Sequence, residues 1–170
     1  MRKGVSLRCI LFLLFVAFMQ SGSAQLPFSE TFSRCKSSNY LYENDSVHAL
    51  YSTEKELALN IFDGFNPKYR DEITGTLKIQ FLVKKDGSCC LISVENFTNV
   101  KTSRLKVKES ISNLNGWRLM SPGSEKKDIC VIVKFLIGTD WVAFYRMKLI
   151  TGPGTVTTFR PLGDVLKIAK

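Results

Sequence analysis

The chain has 170 residues, 45% of them hydrophobic, and its 24 Lys+Arg outweigh 15 Asp+Glu to give a net charge of +9. Its length is that of one domain with a real core, and no apolar run reaches the roughly 20 residues that span a bilayer. A single histidine, His48, argues against a histidine-based metal centre.

The first 24 residues read as a secretory signal peptide. Arg2, Lys3 and Arg8 form a positive start, and Cys9 to Met19 is an apolar core of 11 residues. Gly22 and Ala24 stand at the −3 and −1 positions of a cut before Gln25. No cysteine follows the small residues, which argues against a lipoprotein. Cleavage near Ala24 would release residues 25–170 to the periplasm or the extracellular space, with no stable membrane span. Losing three basic residues lowers the charge to +6. The remaining cations, such as Lys84, Lys85, Lys101, Arg104, Lys106, Lys108, Lys126 and Lys127, are dispersed, so the charge reads as solubility. Nucleic acid is not an expected partner of an exported chain.

Four cysteines remain, Cys35, Cys89, Cys90 and Cys130, and an exported chain can oxidise them. They allow three connectivities, one of which needs a bond between strand neighbours. No C-x-x-C occurs, so neither zinc nor a thioredoxin-like motif is indicated.

Residues 25–50 lack periodicity and read as an irregular lead-in. Thr53-Glu54-Lys55-Glu56 is a capping box. Leu57 with Ile61 and Ala58 with Phe62 continue it as a helix over 54–62, ended by Gly64 and Pro67. Two apolar runs then flank Asp86-Gly87, which predicts a two-residue type I′ hairpin. That turn pairs Val83 with Cys90, Phe81 with Ile92 and Ile79 with Val94 on the core face. It sets Lys84 opposite Cys89, Leu82 opposite Leu91, Gln80 opposite Ser93 and Lys78 opposite Glu95 on the other face. Cys90 is therefore expected inside and Cys89 outside.

Residues 103–115 suit a helix capped by Ser103, with Leu105 in its first turn and Val107, Ile111 and Leu114 on one side. Gly116 ends it, and Trp117 leads to the turn Ser121-Pro122-Gly123. DICVIVKFLI, 128–137, is a strand with Ile129, Val131, Val133 and Phe135 toward the core. Cys130, Ile132, Lys134 and Leu136 then face the other way. After Gly138-Thr139-Asp140, residues 141–150 and 155–160 read as further strands, separated by the turn Gly152-Pro153-Gly154.

The second sheet face, with Leu82, Leu91, Ile132 and Leu136, is too apolar to be solvated throughout. The lead-in, carrying Phe28, Phe32, Tyr40 and Tyr42, is expected to cover it. A disulfide from Cys35 to Cys89 or Cys130 would fit that cover.

The order of these pieces resembles the C-terminal domain of TonB-family proteins. The matching residues are Asn66-Pro67, Gly75 in TGTLKIQFLV, Asp86-Gly87, Leu105, Trp117 with Pro122-Gly123, and the final run 128–137, so the likeness covers about 54–138. The family's acid and alanine at the start of the second helix are absent from Leu105-Lys106-Val107-Lys108. The resemblance implies an α+β fold, a small antiparallel sheet with two helices on one face in the order α-β-β-α-β. The chain divides into the signal peptide 1–24, the lead-in 25–50, the TonB-like domain 51–138 and a β-rich C-terminal extension 139–170. The family binds partners by β-augmentation on its last strand, an edge whose main-chain groups are unpaired. It also implies a Gram-negative cell envelope, where the sequons at Asn44 and Asn96 carry no meaning.

Enzyme signals are weak. His48 lies outside any nucleophile-elbow motif, and Glu54, Glu56, Asp71 and Glu72 read as helix-start and loop charges. No phosphate-loop motif, cofactor or metal site is expected. The expected function is non-enzymatic binding of an envelope protein segment or polymer. Its expected contacts are Cys130, Ile132, Lys134 and Leu136, with Trp141, Phe144 and Tyr145 beyond. The alternative is a secreted effector or small thiol enzyme using Cys35, Cys89 or Cys130.

Overall fold

The computed structural model describes residues 28–33, 35, 40–122, 127–151, 157–161 and 166–170. The expected signal peptide lies outside them. In chain order the elements are β1 (Glu30–Thr31), β2 (Tyr40–Tyr42), β3 (His48–Leu50), α1 (Glu54–Asp63), α2 (Pro67–Arg70), β4 (Gly75–Val83) and β5 (Cys89–Thr98). Then follow α3 (Thr102–Leu105), α4 (Val107–Ser112), β6 (Arg118–Met120), β7 (Asp128–Ile137), β8 (Trp141–Thr151), β9 (Thr157–Pro161) and β10 (Leu166–Ala169). The fold is mixed α+β. The main sheet runs β1-β5-β4-β7-β8-β10, with β2 added in parallel to β7 and β9 added to β8. β3 and β6 form a separate antiparallel pair.

The main sheet is larger than expected because 25–50 is not wholly irregular: β1 and β2 arise there and join it, β3 joins the separate pair, and β10 adds a further strand. β7 is an interior strand. β4 pairs along Ile129–Ile137, and the opposite side is taken by β2 at Asp128–Cys130 and β8 at Ile132–Ile137. The expected open edge is filled by the chain's own β8.

The capping box holds: the Thr53 hydroxyl accepts from the Glu56 amide at 3.0 Å, and α1 buries Leu57, Ala58, Ile61 and Phe62. Gly64 follows in right-handed geometry, so its φ does not explain it. Close approach does, since a Cβ there would lie 2.8 Å from the Ser110 Cβ of α4. Ser110 also donates to the Ile61 carbonyl at 2.6 Å. The expected single helix over 103–115 is two helices. Lys106 breaks it with φ 58°, and the break buries both Leu105 and Val107, which a continuous helix would turn to different sides.

The hairpin also differs from expectation, by one residue. Lys84 N–H donates to Ser88 O and Gly87 N–H to Lys84 O, both at 2.9 Å, with Gly87 at φ 81°. This is a three-residue loop, Lys85-Asp86-Gly87, closed by a left-handed glycine. Asp-Gly suits either loop, because a glycine with positive φ serves both. The pairs near the turn become Val83–Cys89, Leu82–Cys90 and Phe81–Leu91. A bulge at Ile92 then restores Gln80–Ser93, Ile79–Val94 and Lys78–Glu95 as expected. Cys89 and Leu91 consequently enter the main core, while Cys90 and Ile92 pass to the other face, so Phe81 and Ile92 do not meet.

The main core lies between the helices and one sheet face, with Leu77, Ile79, Phe81, Val133, Phe135 and Phe144 fully buried. On the opposite face Leu82, Cys130 and Ile132 are buried beneath Phe28, Tyr40 and Tyr42. Lead-in cover is therefore real, except that Phe32 packs on the main core instead. Cys35 bonds to Cys90, correcting the expected partners Cys89 and Cys130. The reason is the register: Cys89 has moved to the far side of the sheet, and Cys90 took its place.

A buried ionic cluster ties the lead-in to β8. Arg146, 4% exposed, donates from Nε to Glu43 Oε2 at 3.1 Å and from Nη2 to Glu43 Oε1. It also donates to Glu54 Oε1 at 2.8 Å and to the Ala49 carbonyl at 2.7 Å, and it sits 5.7 Å from the Trp117 ring. The Ala49 amide completes the Glu43 shell at 3.0 Å. Burial pushes the Glu43 carboxyl up, and the Arg146 guanidinium pulls it back.

Candidate functional site

Strand alternation sorts the expected contact residues into three groups. Cys130 and Ile132 are buried beneath the lead-in, and Phe144 is buried on the helix side. Lys134, Leu136, Trp141 and Tyr145 do share one face, away from the helices. Register carries that face across the sheet in rows. Nearest the turn, Cys90, Leu82 and Cys130 align, then Ser93, Gln80, Ile132 and Met147. Glu95, Lys78, Lys134 and Tyr145 follow, and last come Phe97, Thr76, Leu136 and Ala143.

The first two rows are covered and internally satisfied. Ser93 Oγ donates to Gln80 Oε1 at 2.7 Å, and Gln80 Nε2 reaches the Tyr42 hydroxyl and Cys130 Sγ, both at 3.3 Å. The last two rows are partly open, apart from the buried Ala143. Phe97 is 67% exposed and Trp141 43%, and both flank the half-buried Leu136. With neighbouring strands about 4.8 Å apart, four strands give a platform roughly 14 Å wide. Lys78 pairs with Glu95, and the Lys134 ammonium lies 5.5 Å from the Tyr145 ring centroid. Trp141 is held down by what Gly138 lacks, since a Cβ there would lie 2.4 Å from the Trp141 Nε1. Phe97 was missed from sequence; its pairing with Thr76, in the same row as Leu136, was the signal available.

This platform offers apolar area, two cations and one carboxylate. The asparagine of the second sequon, Asn96, serves the fold, since its amide nitrogen donates to the Val100 carbonyl and the Thr102 hydroxyl, each at 2.9 Å. His48 Nε2 lies 3.2 Å from the Asp45 carbonyl. Among the described residues no group of three His, Cys, Asp or Glu is placed to hold a metal. A cleft of about 350 Å³ beside β6 is lined, among the described residues, by Leu50, Lys85, Trp117, Arg118, Leu119 and Met120, none of them a carboxylate or thiol.

The thiols are placed for packing. Cys89 and Cys130 are free and buried, and burial pushes each up to about 12. Nucleophilic thiols need the reverse, an exposed site and a lowered pKa. With the disulfide intact, alkylation of the folded protein at pH 8 is expected to be at least about 100-fold slower than after unfolding in urea. Rapid labelling of either thiol in the folded state would favour the thiol-enzyme alternative.

No helix among the described residues is long and apolar enough to cross a membrane. Compared with known proteins, the chain matches no family model, no curated protein and no solved structure.

Proposed function

We propose that the protein is an exported, non-enzymatic binding module of the cell envelope, holding a protein segment or envelope polymer on the open half of its sheet. The observation that carries this reading is the placement of Phe97 and Trp141. Three large hydrophobic side chains are exposed among the described residues, Phe97, Met120 and Trp141, and two of them share this face with Leu136. Aromatics presented on a rigid sheet are suited to act as contact hot spots. Export is supported by the apolar N-terminal run and by the Cys35–Cys90 bond, which persists in oxidising compartments. Kinship with the TonB C-terminal domain is part of the proposal and is supported by the order of helices and strands through 54–137. The departure is the mode of contact: with β8 along β7, face contact takes the place of strand addition.

The test uses the mature chain against isolated envelope polymer and envelope extract. Leu136→Asp and Trp141→Asp are each expected to weaken capture by about tenfold or more, as hot-spot losses do. Met120→Asp, beside the distant cleft, should bind as the parent does. Equal capture by all four proteins, or capture by none, overturns the reading.

A further inference from the structure

The segment Cys89-Cys90-Leu91-Ile92 consists of two doublets of matched side chains. Sliding it by one residue sets a cysteine where a cysteine stood and an isoleucine where a leucine stood. In the observed register Cys89 and Leu91 fill the main core. In the register without the bulge, Cys90 and Ile92 would fill the same places, and Lys84 would face Cys89. That second register needs a two-residue loop at Asp86-Gly87, and this dipeptide is the strongest short former of such a turn. Register is normally enforced because a slip carries apolar side chains to the wrong face. Here that penalty is nearly absent, since the exchange conserves core volume.

Something else must therefore choose the bulged register, and the lead-in makes one covalent contact that does. The Phe32 amide donates to the Ile92 carbonyl at 2.8 Å, continuing the β1–β5 pairing of Glu30 with Val94 and Thr31 with Ser93, and ties the lead-in to β5 in either register. Cys35 bonds to Cys90, which can be reached only while Cys90 faces the lead-in. We infer that the Cys35–Cys90 disulfide is a register lock, and that its reduction lets the end of the β4–β5 hairpin slip to the bulge-free pairing. Cys90 then turns into the core and Cys89 turns out. The step is a two-electron exchange with a dithiol: the reagent becomes a cyclic disulfide, and Cys35 and Cys90 each leave as a thiol carrying one of its protons. No other bond changes.

The slip has a direct chemical readout, because it exchanges which of two neighbouring thiols is accessible. The full mature chain is reduced with a small dithiol, or prepared as Cys35→Ser, pulsed with a neutral alkylating reagent under folding conditions, and mapped. Cys89 is expected to label about tenfold faster than Cys90, exposure being the difference between them. Cross-strand NMR contacts of the Phe81 ring should pass from Leu91 to Ile92. Faster labelling of Cys90, with Phe81 still against Leu91, overturns the lock. If Cys89, Cys90 and Cys130 all label at the unfolded rate, the pulse is repeated in concentrated sucrose, which favours the compact state. Uniform labelling there also overturns it, because the inference requires a folded reduced form.

Discussion

Arg146→Met is expected to lower stability by about 3–5 kcal/mol, because it strands a carboxylate where water cannot reach it. Glu43 is fully buried and takes its two strongest partners from one guanidinium. The other Arg146 partner, Glu54, is half-exposed and can return to solvent. The loss should depend on pH with a definite sign. In the variant only desolvation and the Ala49 amide act strongly on Glu43, so its folded pKa rises further above the unfolded value. The folded state then binds the extra proton, and stability falls as pH rises through the folded pKa. The deficit should be largest near neutrality and shrink toward pH 4. A companion change, Glu43→Gln, keeps an oxygen for the Ala49 amide and removes the charge. Urea midpoints for the double variant should recover most of the loss. A double variant as weak as Arg146→Met alone would show that packing of the arginine stem dominates.

Cys35→Ala is expected to cost about 4 kcal/mol by the chain-entropy account of a cross-link spanning 55 residues, within the usual range of about 2–5. The bond closes a loop that includes the later part of the lead-in, α1, α2 and β4. Its loss should also free the segment carrying Phe28, Tyr40 and Tyr42 from the sheet. Cys130 then becomes the reporter, since those rings pack around it. Its alkylation should accelerate in Cys35→Ala under conditions where the main core stays protected in hydrogen exchange. A Cys130 as protected as in the parent would mean that strand pairing alone holds the cover.

Much of this architecture was legible in the sequence. Thr53, Asp86-Gly87 and the alternation in 128–137 act through neighbours only, so they report local structure directly. The apolar second face announced that something must cover it, and the aromatic lead-in was the nearest candidate. The failures have one physical root: they turn on choices that local residues leave balanced. Asp86-Gly87 accepts a two- or three-residue loop, and Cys-Cys-Leu-Ile fits both, so parity could not be read and the disulfide partner was missed with it. The strands at Glu30, Tyr40 and His48 are too brief for a period. Glu43 and Arg146 lie 103 residues apart, and neither residue alone signals the other. The open platform was half legible: Lys134, Leu136, Trp141 and Tyr145 were named for an edge that β8 closes, yet they share a face for the reason given by alternation.

The pairing of Tyr40–Tyr42 with Asp128–Cys130 has a consequence for the timing of assembly. A ribosome delivers the amino end first, yet these residues find no strand to pair with until nearly the last quarter of the polymer has emerged. Closing so long a loop is slow, because its entropy is spent before any contact rewards it. The early strand thus docks late, after most of the remainder is made. Were the chain exported as proposed, that delay would give it time to thread a narrow secretion pore before acquiring its shape.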